Sequence, residues 1–336
     1  GVLAYVLPEA LLNVKTHSSV RKLLLEKTHI VEIRLLGHQF SKVFTPTITL
    51  IARKISESNP CSVNTEVHQV LIRGGDEIRD IPQKRFCENE MYIFNVKATN
   101  GEDEILEQMR KLPGALFLAD HADFALGIVT GNNKEFLLQH PVQGAEVVLK
   151  GNDIFKYNVY PSENYLIFDP EKLQQVAPVH LYRAPEKLLY RFINENLVFA
   201  YDNQHTLSLN SANLVIPRLS GYSMKYILAV LNSRAAQFFH TASFSSVKVL
   251  RKHIESIPIP PCSPSTQEEI VKRVEALMST RENTERIKLY EQIDEQIMPL
   301  YFLTPQQQKI IVTRFRVTKY AFYEAENSRC ESKTRG

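Results

Sequence analysis

The sequence predicts an α/β segment followed by a longer α+β region that closes in a helical arm. Three observations predict it. A strand, a helix and two further strands fill residues 1–55. From about residue 63 the texture changes to short apolar runs cut by Gly-Asn turns. From residue 263 apolar positions recur at helical spacing.

The chain opens on "GVLAYVLPEALL", which reads as a buried strand broken by Pro8. It lacks a basic n-region and a cleavage site, so it is not a signal peptide. "VKTHSSVRKLLLEKT" places Val20, Leu23 and Leu24 on one face of a helix, with a polar face opposite. "IVEIRLL" follows as a strand, and "VFTPTITLIARK" as another, its β-branched residues entering after Pro46. A strand, a crossover helix and a strand predict one edge of a parallel, doubly wound sheet. Fifty-five residues are too few for such a domain, so the chain reads as a fragment of something larger.

Residues 56–62, "SESNPCS", read as a linker. "GEDEILEQMRKL" is a charged helix, and "ALGIVTGNNKEFLL", "AEVVLKGNDIFKY" and "NYLIFD" supply short strands and turns. "APEKLLYRFINEN" is expected as a helix with Pro in its first turn. "LVFAYDNQHTLSLNSANLVIP" is expected as a hairpin turning at Asp202-Asn203. "SMKYILAVLNSRAAQFFHTA" reads as one long helix. Beyond it, Ser265 or Thr266 is expected to cap a helix buried through Ile270, Val274, Leu277 and Met278. Ile287, Leu289, Ile293 and Ile297 continue the pattern as a long helical hairpin or arm that is polar on most faces. "TPQQQKIIVTRF" is a short terminal helix, and "NSRCESKTRG" reads as disordered.

At 336 residues the chain is expected to hold two or more domains. Its 44% hydrophobic and 23% charged content is that of a soluble folded protein. A net charge of +3 selects no partner class, because a basic patch can hide in such a total. The four cysteines form no CxxC clip and no dense disulfide framework, which fits a reducing, cytoplasmic setting. No apolar run reaches the length of a membrane span.

Complete catalytic constellations are missing from the sequence. There is no GxGxxG, P-loop, HExxH or HxxxH, and Gly74-Gly75 stands alone. "ADHADF" gathers Asp120, His121 and Asp123 without further spaced ligands, so it reads as a polar loop and no metal site is expected.

Seven stretches, by their order along the chain, carry a resemblance. "LAVLNSRAAQFFH", "SVKVLRKHIESIPIP" and "STQEEIVKRVEALM" resemble the specificity domain of TaqI-like adenine-N6 DNA methyltransferases. Type I restriction specificity subunits close on a similar pattern. "AEVVLKGNDIFKY" is similar to the family's Gly-Asp element, and "LLYRFINENLVFAYDNQHTLSLNSANLVIP" to its central hairpin. "EQIDEQIMPLYFLTPQQQ" resembles its trailing helix, and residues 1–54 resemble the last strands of its catalytic domain. The resemblance implies the edge of a methyltransferase sheet at 1–55, a target-recognition domain at 63–262 and a C-terminal helical arm at 263–325. The family's glycine-rich S-adenosylmethionine loop and its (Asp/Asn)-Pro-Pro-(Tyr/Phe) loop are absent; Pro260-Pro261 is followed by Cys262. S-adenosylmethionine is therefore expected to serve the full-length parent and not to bind this chain, which alone is expected to be inactive.

The resemblance and the chemistry of the side chains together nominate residues. Phe40 in "LGHQFSKVF" stands where the family carries an aromatic that stacks on the flipped adenine; a core role, and Phe44, are the alternatives. Thr130, Asn132 and Lys134, with Asn133, sit on a Gly-Asn turn that can present amides to base edges and a cation to phosphate, or be a plain hairpin turn. Lys150 and Asn152 belong to "KGND", a DNA element or a turn. Ser245, Lys248 and Arg251, beside Ser243, Ser246 and Lys252, combine hydroxyls and cations as phosphate contacts do, against the alternative of a solvated basic face. Arg183 and Arg191 can read guanine or form surface ion pairs.

Two functions remain open at this point. The first is the DNA-reading part of an adenine-N6 methyltransferase of a restriction–modification system, with duplex DNA and the parent's upstream methyltransferase region as partners. The second is a non-catalytic specificity module that uses its helical arm to space half-sites.

Overall fold

The computed structural model describes residues 1–37, 39, 46–55, 68–74, 77–96, 100–160, 162–244 and 248–315. The chain divides into two units, 1–103 and 104–336.

The first unit is built on β1 (Val2–Pro8), α1 (Ser18–Lys27), β2 (Thr28–Gly37), β3 (Thr47–Lys54), β4 (Gln69–Gly74), β5 (Glu77–Pro82) and the short α2 (Lys84–Glu88). The strand–helix–strand–strand expectation holds element by element, but the pairing differs. The sheet order is β1-β3-β2-β4-β5, and β3 lies between β1 and β2, antiparallel to both. The parallel pair is β2 with β4. β1 is therefore an edge strand and not the buried one expected. Leu3 and Leu7 face the core, while Val2, Tyr5 and Val6 are exposed.

Helix α1 also faces differently from its apolar pattern. Val20 and Leu23 are exposed, and the buried positions are Arg21 and Leu25. The Arg21 guanidinium donates to the carbonyls of Leu11, Val14, Met91 and Tyr92, at 2.8 to 3.2 Å. It satisfies loop carbonyls that would otherwise be buried without donors. Burial pulls its pKa below the ordinary arginine value.

The second unit contains α3 (Asn100–Arg110) from Glu104 onward, then β6 (Ala122–Ala125), α4 (Asn133–Phe136), β7 (Leu137–Leu138), β8 (Ala145–Leu149) and β9 (Tyr165–Ile167). There follow α5 (Val179–Tyr182), β10 (Lys187–Arg191), β11 (Phe199–Asp202), β12 (Leu207–Ser208) and β13 (Ala212–Pro217). Two four-stranded sheets result, ordered β11-β10-β13-β6 and β12-β8-β9-β7. The helix expected over "APEKLLYRFINEN" is instead β10, the central partner of β11 and β13. Leu188, Leu189 and Tyr190 are all buried, so both faces of the segment are covered, and a short continuous apolar run is then a strand. The expected hairpin over 197–217 is likewise redrawn: β11 pairs back on β10, and β12 leaves for the other sheet.

The closing helices are α6 (Met224–Asn232), α7 (Arg234–Ser243), α8 (Arg251–Glu255), α9 (Pro264–Ser279), α10 (Asn283–Ile297) and α11 (Pro305–Arg314). The single long helix expected over 223–242 is broken at Ser233, whose backbone is extended. Ser233 Oγ donates to Val230 O at 2.7 Å and accepts from Ala236 N at 3.1 Å, ending one helix and capping the next. Ser263, one residue before Pro264, caps α9 in place of Ser265 or Thr266. Ile270, Val274 and Leu277 are buried as expected. Helix α10 packs into the same core with two charges on its buried face, Arg286 and Asp294. Arg286 donates to Tyr160 Oη at 2.6 Å and Asn158 Oδ1 at 2.5 Å. Asp294 Oδ1 accepts from Arg234 N at 3.0 Å, with the Arg234 guanidinium 3.2 Å from Oδ2.

Candidate nucleic-acid interface

Several of the nominated residues converge on one tight turn, Leu209–Ala212, closed by Ala212 N donating to Leu209 O at 2.7 Å. Strands β8 and β12 run parallel into it, and Leu209 N donates to Leu149 O at 2.8 Å. The chain after β6 runs beside them through a parallel Ile128–Leu209 bridge. Lys150–Asn152 and Thr130–Asn132 thus leave their segments at the same end as Ser211. Glycine is required twice at this point. A Cβ on Gly151 would lie 2.7 Å from Ser211 O, and one on Gly127 would lie 2.1 Å from Leu209 O.

The same turn ties in the β10–β11 loop and the basic segment. Phe192 N donates to Ser211 O at 3.0 Å, and Val249 N donates to Phe192 O at 2.8 Å. Ile193 forms an antiparallel bridge with Lys248. Behind this edge lie α6 and α7, whose buried amides act as clamps. Asn232 Oδ1 accepts from Phe199 N at 3.0 Å, and its Nδ2 donates to Phe199 O at 2.9 Å. Gln237 Oε1 accepts from Leu197 N at 2.6 Å, and its Nε2 donates to Glu195 O at 3.4 Å. The apolar helix pair therefore supports the loop 192–197 and the basic segment beside it.

The nominated residues differ in exposure and in the partners they hold. Lys248 and Arg251 are exposed; Arg251 is paired with Glu255 at 2.7 Å and lies over the Phe124 ring. Asn152 is exposed, whereas Lys150 is half-buried and donates to Asn164 Oδ1 at 2.5 Å. Thr130 is buried and donates to Asn133 Oδ1; Asn132 caps α4, accepting from Lys134 N, while Lys134 is exposed. Arg191 is committed to Ile154 O at 2.7 Å and stacks over Phe155. Arg183 sits toward the other end of β8, bonded to Glu146 at 2.8 Å and to His205 O. Phe40, Phe44, Ser245 and Ser246 lie outside the described residues. Asp123, from the polar loop, pairs with Arg218 at 2.7 Å, and no cluster of metal-ligating side chains occurs among the described residues.

Sequence reasoning did not single out the aromatic latch below the basic segment. His253 stacks on Phe244 at 4.0 Å, with His240 5.4 Å away edge-on. His240 is 1% exposed, and neither ring nitrogen has a hydrogen-bond partner among the described residues. Burial pushes both histidines down to about 4, and for His253 the charges of His240 and Lys252 add to it. Because the folded form holds them neutral, stability is lost as pH falls from about 6.5 toward 4. Buried Asp294, pushed up to about 6, opposes this, since the folded state takes its proton first. Two groups outweigh one, so acidification is expected to destabilise the unit. His240→Leu should lose less stability than wild type between pH 7 and pH 4.5 in urea unfolding. A steeper loss in the variant would contradict this.

Residues 146–259 match the family described as the TaqI-like C-terminal specificity domain. This region is similar to a TaqI-like specificity domain. Its bounds run from β8 into the "IPIP" stop and include Lys150, Asn152, Arg183, Lys248 and Arg251. The chain is also 31% identical over 154 residues to the type II methyltransferase M.VspI of Vibrio sp. (strain 343), covering 46% of this chain and 36% of that protein. Among solved structures it is similar to the type IIL restriction-modification enzyme MmeI, described in complex with DNA, at a TM-score of 0.55 and 12% identity. That likeness, which is one of fold, covers 95% of this chain and 49% of MmeI. The chain thus spans a third to a half of these relatives. No helix among the described residues is long and apolar enough to cross a membrane.

Proposed function

We propose that this chain reads the DNA sequence for an adenine-N6 DNA methyltransferase of a restriction–modification system. The observation that carries the reading is the cationic edge of the specificity domain. Lys248 is joined by backbone bonds to the turn that also anchors the "KGND" element. Lysine beside exposed amide side chains is the equipment of phosphate positioning and base-edge contact.

In this reading the five-stranded sheet of the first unit, β1 through β5, is the end of a methyltransferase sheet, and the target-recognition region lies in the second unit, with α9 and α10 packed into its core. The position of β1 at the edge of its sheet favours it over a non-catalytic module. An edge strand carrying Val2, Tyr5 and Val6 in water is a template for a further strand. The parent's upstream region is the occupant, and the limited share of M.VspI that this chain covers leaves room for it. Phe40 is assigned to stacking on the flipped adenine. The 336 residues contain neither the glycine-rich loop nor the Pro-Pro tetrapeptide loop, so they do not fit S-adenosylmethionine, and methyl transfer belongs to the upstream region.

Binding to duplex DNA should fall steeply with salt. Replacing Lys248 and Arg251 by glutamine should flatten the slope of log affinity against log salt by about two, slightly under one per lost phosphate contact. Fluorescence anisotropy across a salt series measures it, and an unchanged slope means these cations face away from DNA.

A further inference from the structure

We infer that Ile193 is an apolar base-reading residue that meets the methyl group of a thymine in the major groove. The inference rests on the DNA-reading function proposed above.

Ile193 stands in the loop between β10 and β11 and is 62% exposed, while Leu188, Leu189, Leu197 and Phe199 around it are buried. A lone exposed isoleucine needs no explanation on a mobile surface. This loop, however, is fixed from three sides. Gln237, itself 3% exposed, holds the Glu195 carbonyl and the Leu197 amide from below. Ser211 holds Phe192 at the entry, and the Lys248–Val249 segment pairs with Phe192 and Ile193 along the flank. Asn194 is half-buried and is engaged within the loop, donating to Asn196 O at 2.7 Å. Directly beside the Lys248 cation the loop presents a branched hydrocarbon on a rigid mount, with Glu195 and Asn196 exposed farther along it.

The charge beside it decides the occupant. A protein partner with an apolar pocket would have to accommodate exposed Lys248, Arg251 and Lys252 at the rim. Duplex DNA supplies phosphates for those cations and, in the major groove, the thymine methyl as an apolar feature. Gln237 acts here as a positioning residue, since it touches only the loop backbone.

The test selects binding sites for the full-length parent from randomised duplexes, then replaces each thymine of the selected site by deoxyuridine, which removes only the methyl. Wild type should lose roughly three- to tenfold in affinity at one position, the worth of one buried methyl group. Ile193→Ala should show no loss at that position while keeping its melting temperature and salt slope. If wild type enriches a site but Ile193→Ala has the same thymine-to-deoxyuridine profile, the inference is overturned. A wild type indifferent to every such replacement overturns it too. If wild type enriches no sequence at all, the DNA-reading function itself fails, and Ile193 falls with it.

Discussion

Gly127→Ala is expected to cost the second unit about 3 kcal/mol or more, near the upper end for overpacking, because the new methyl meets backbone. Its Cβ would lie 2.1 Å from Leu209 O, 2.3 Å from Leu209 C and 2.8 Å from Ala212 O. A flexible side chain could swing aside from such a contact. Here the obstacle is the tight turn on which β8, β12 and the Phe192 strand end all converge. Gly127 also donates its amide to buried Asn213 Oδ1 at 3.0 Å, so backing away would break that bond. A drop in melting temperature of roughly 6 to 12 °C follows for a unit of this size. Gly144→Ala is the control. It has positive φ but open space around it, so it should cost only about 1 kcal/mol. Equal effects for the two variants would show that the turn yields, and that its rigidity does not position the edge that carries Lys248.

The same turn shows what can be read from a sequence and what cannot. "KGND" and the Ser-Lys-Arg segment are legible because their residue types are unusual in a packed interior. Gly127 and Gln237 are not legible as supports. The first matters through a backbone that approaches from 82 residues away along the chain, and the second through two carbonyl and amide partners with no side-chain signature. The misreadings share a cause as well. Arg21, Arg286 and Asp294 look like solvent-facing positions, yet each is buried against backbone or a partner charge. Assigning them to the polar face turned α1 by a part of a turn and made α10 read as an exposed arm. "KLLYR" is equally apolar on the 2.0 and 3.6 periods, and only its two strand neighbours decide the matter. Where the apolar period is unambiguous, as at Ile270, Val274 and Leu277, sequence and structure agree.

The other large effect lies at the opposite end of β10. Lys187 and Asp202 are both fully buried, with Nζ 2.5 Å from Oδ2. Lys187 also donates to Tyr182 O at 2.8 Å. Asp202 accepts from Gln204 N, Thr206 N and Thr206 Oγ1, and so holds the chain between β11 and β12. Burial lowers the pKa of Lys187, and the carboxylate of Asp202 works against that. Lys187→Met is expected to cost about 3–5 kcal/mol, because it leaves a buried carboxylate without its cation. The cost has a pH signature that simple loss of packing lacks. A carboxylate left buried without a cation is relieved by taking up a proton, so the cost eases as pH falls. The deficit against wild type should be largest near pH 7 and shrink toward pH 4. Urea unfolding of both proteins across that range measures it. A deficit that stays constant would mean the methionine has simply failed to pack. A deficit near zero at pH 7 would mean that Arg183, whose charge reaches Lys187, takes over as the cation for Asp202.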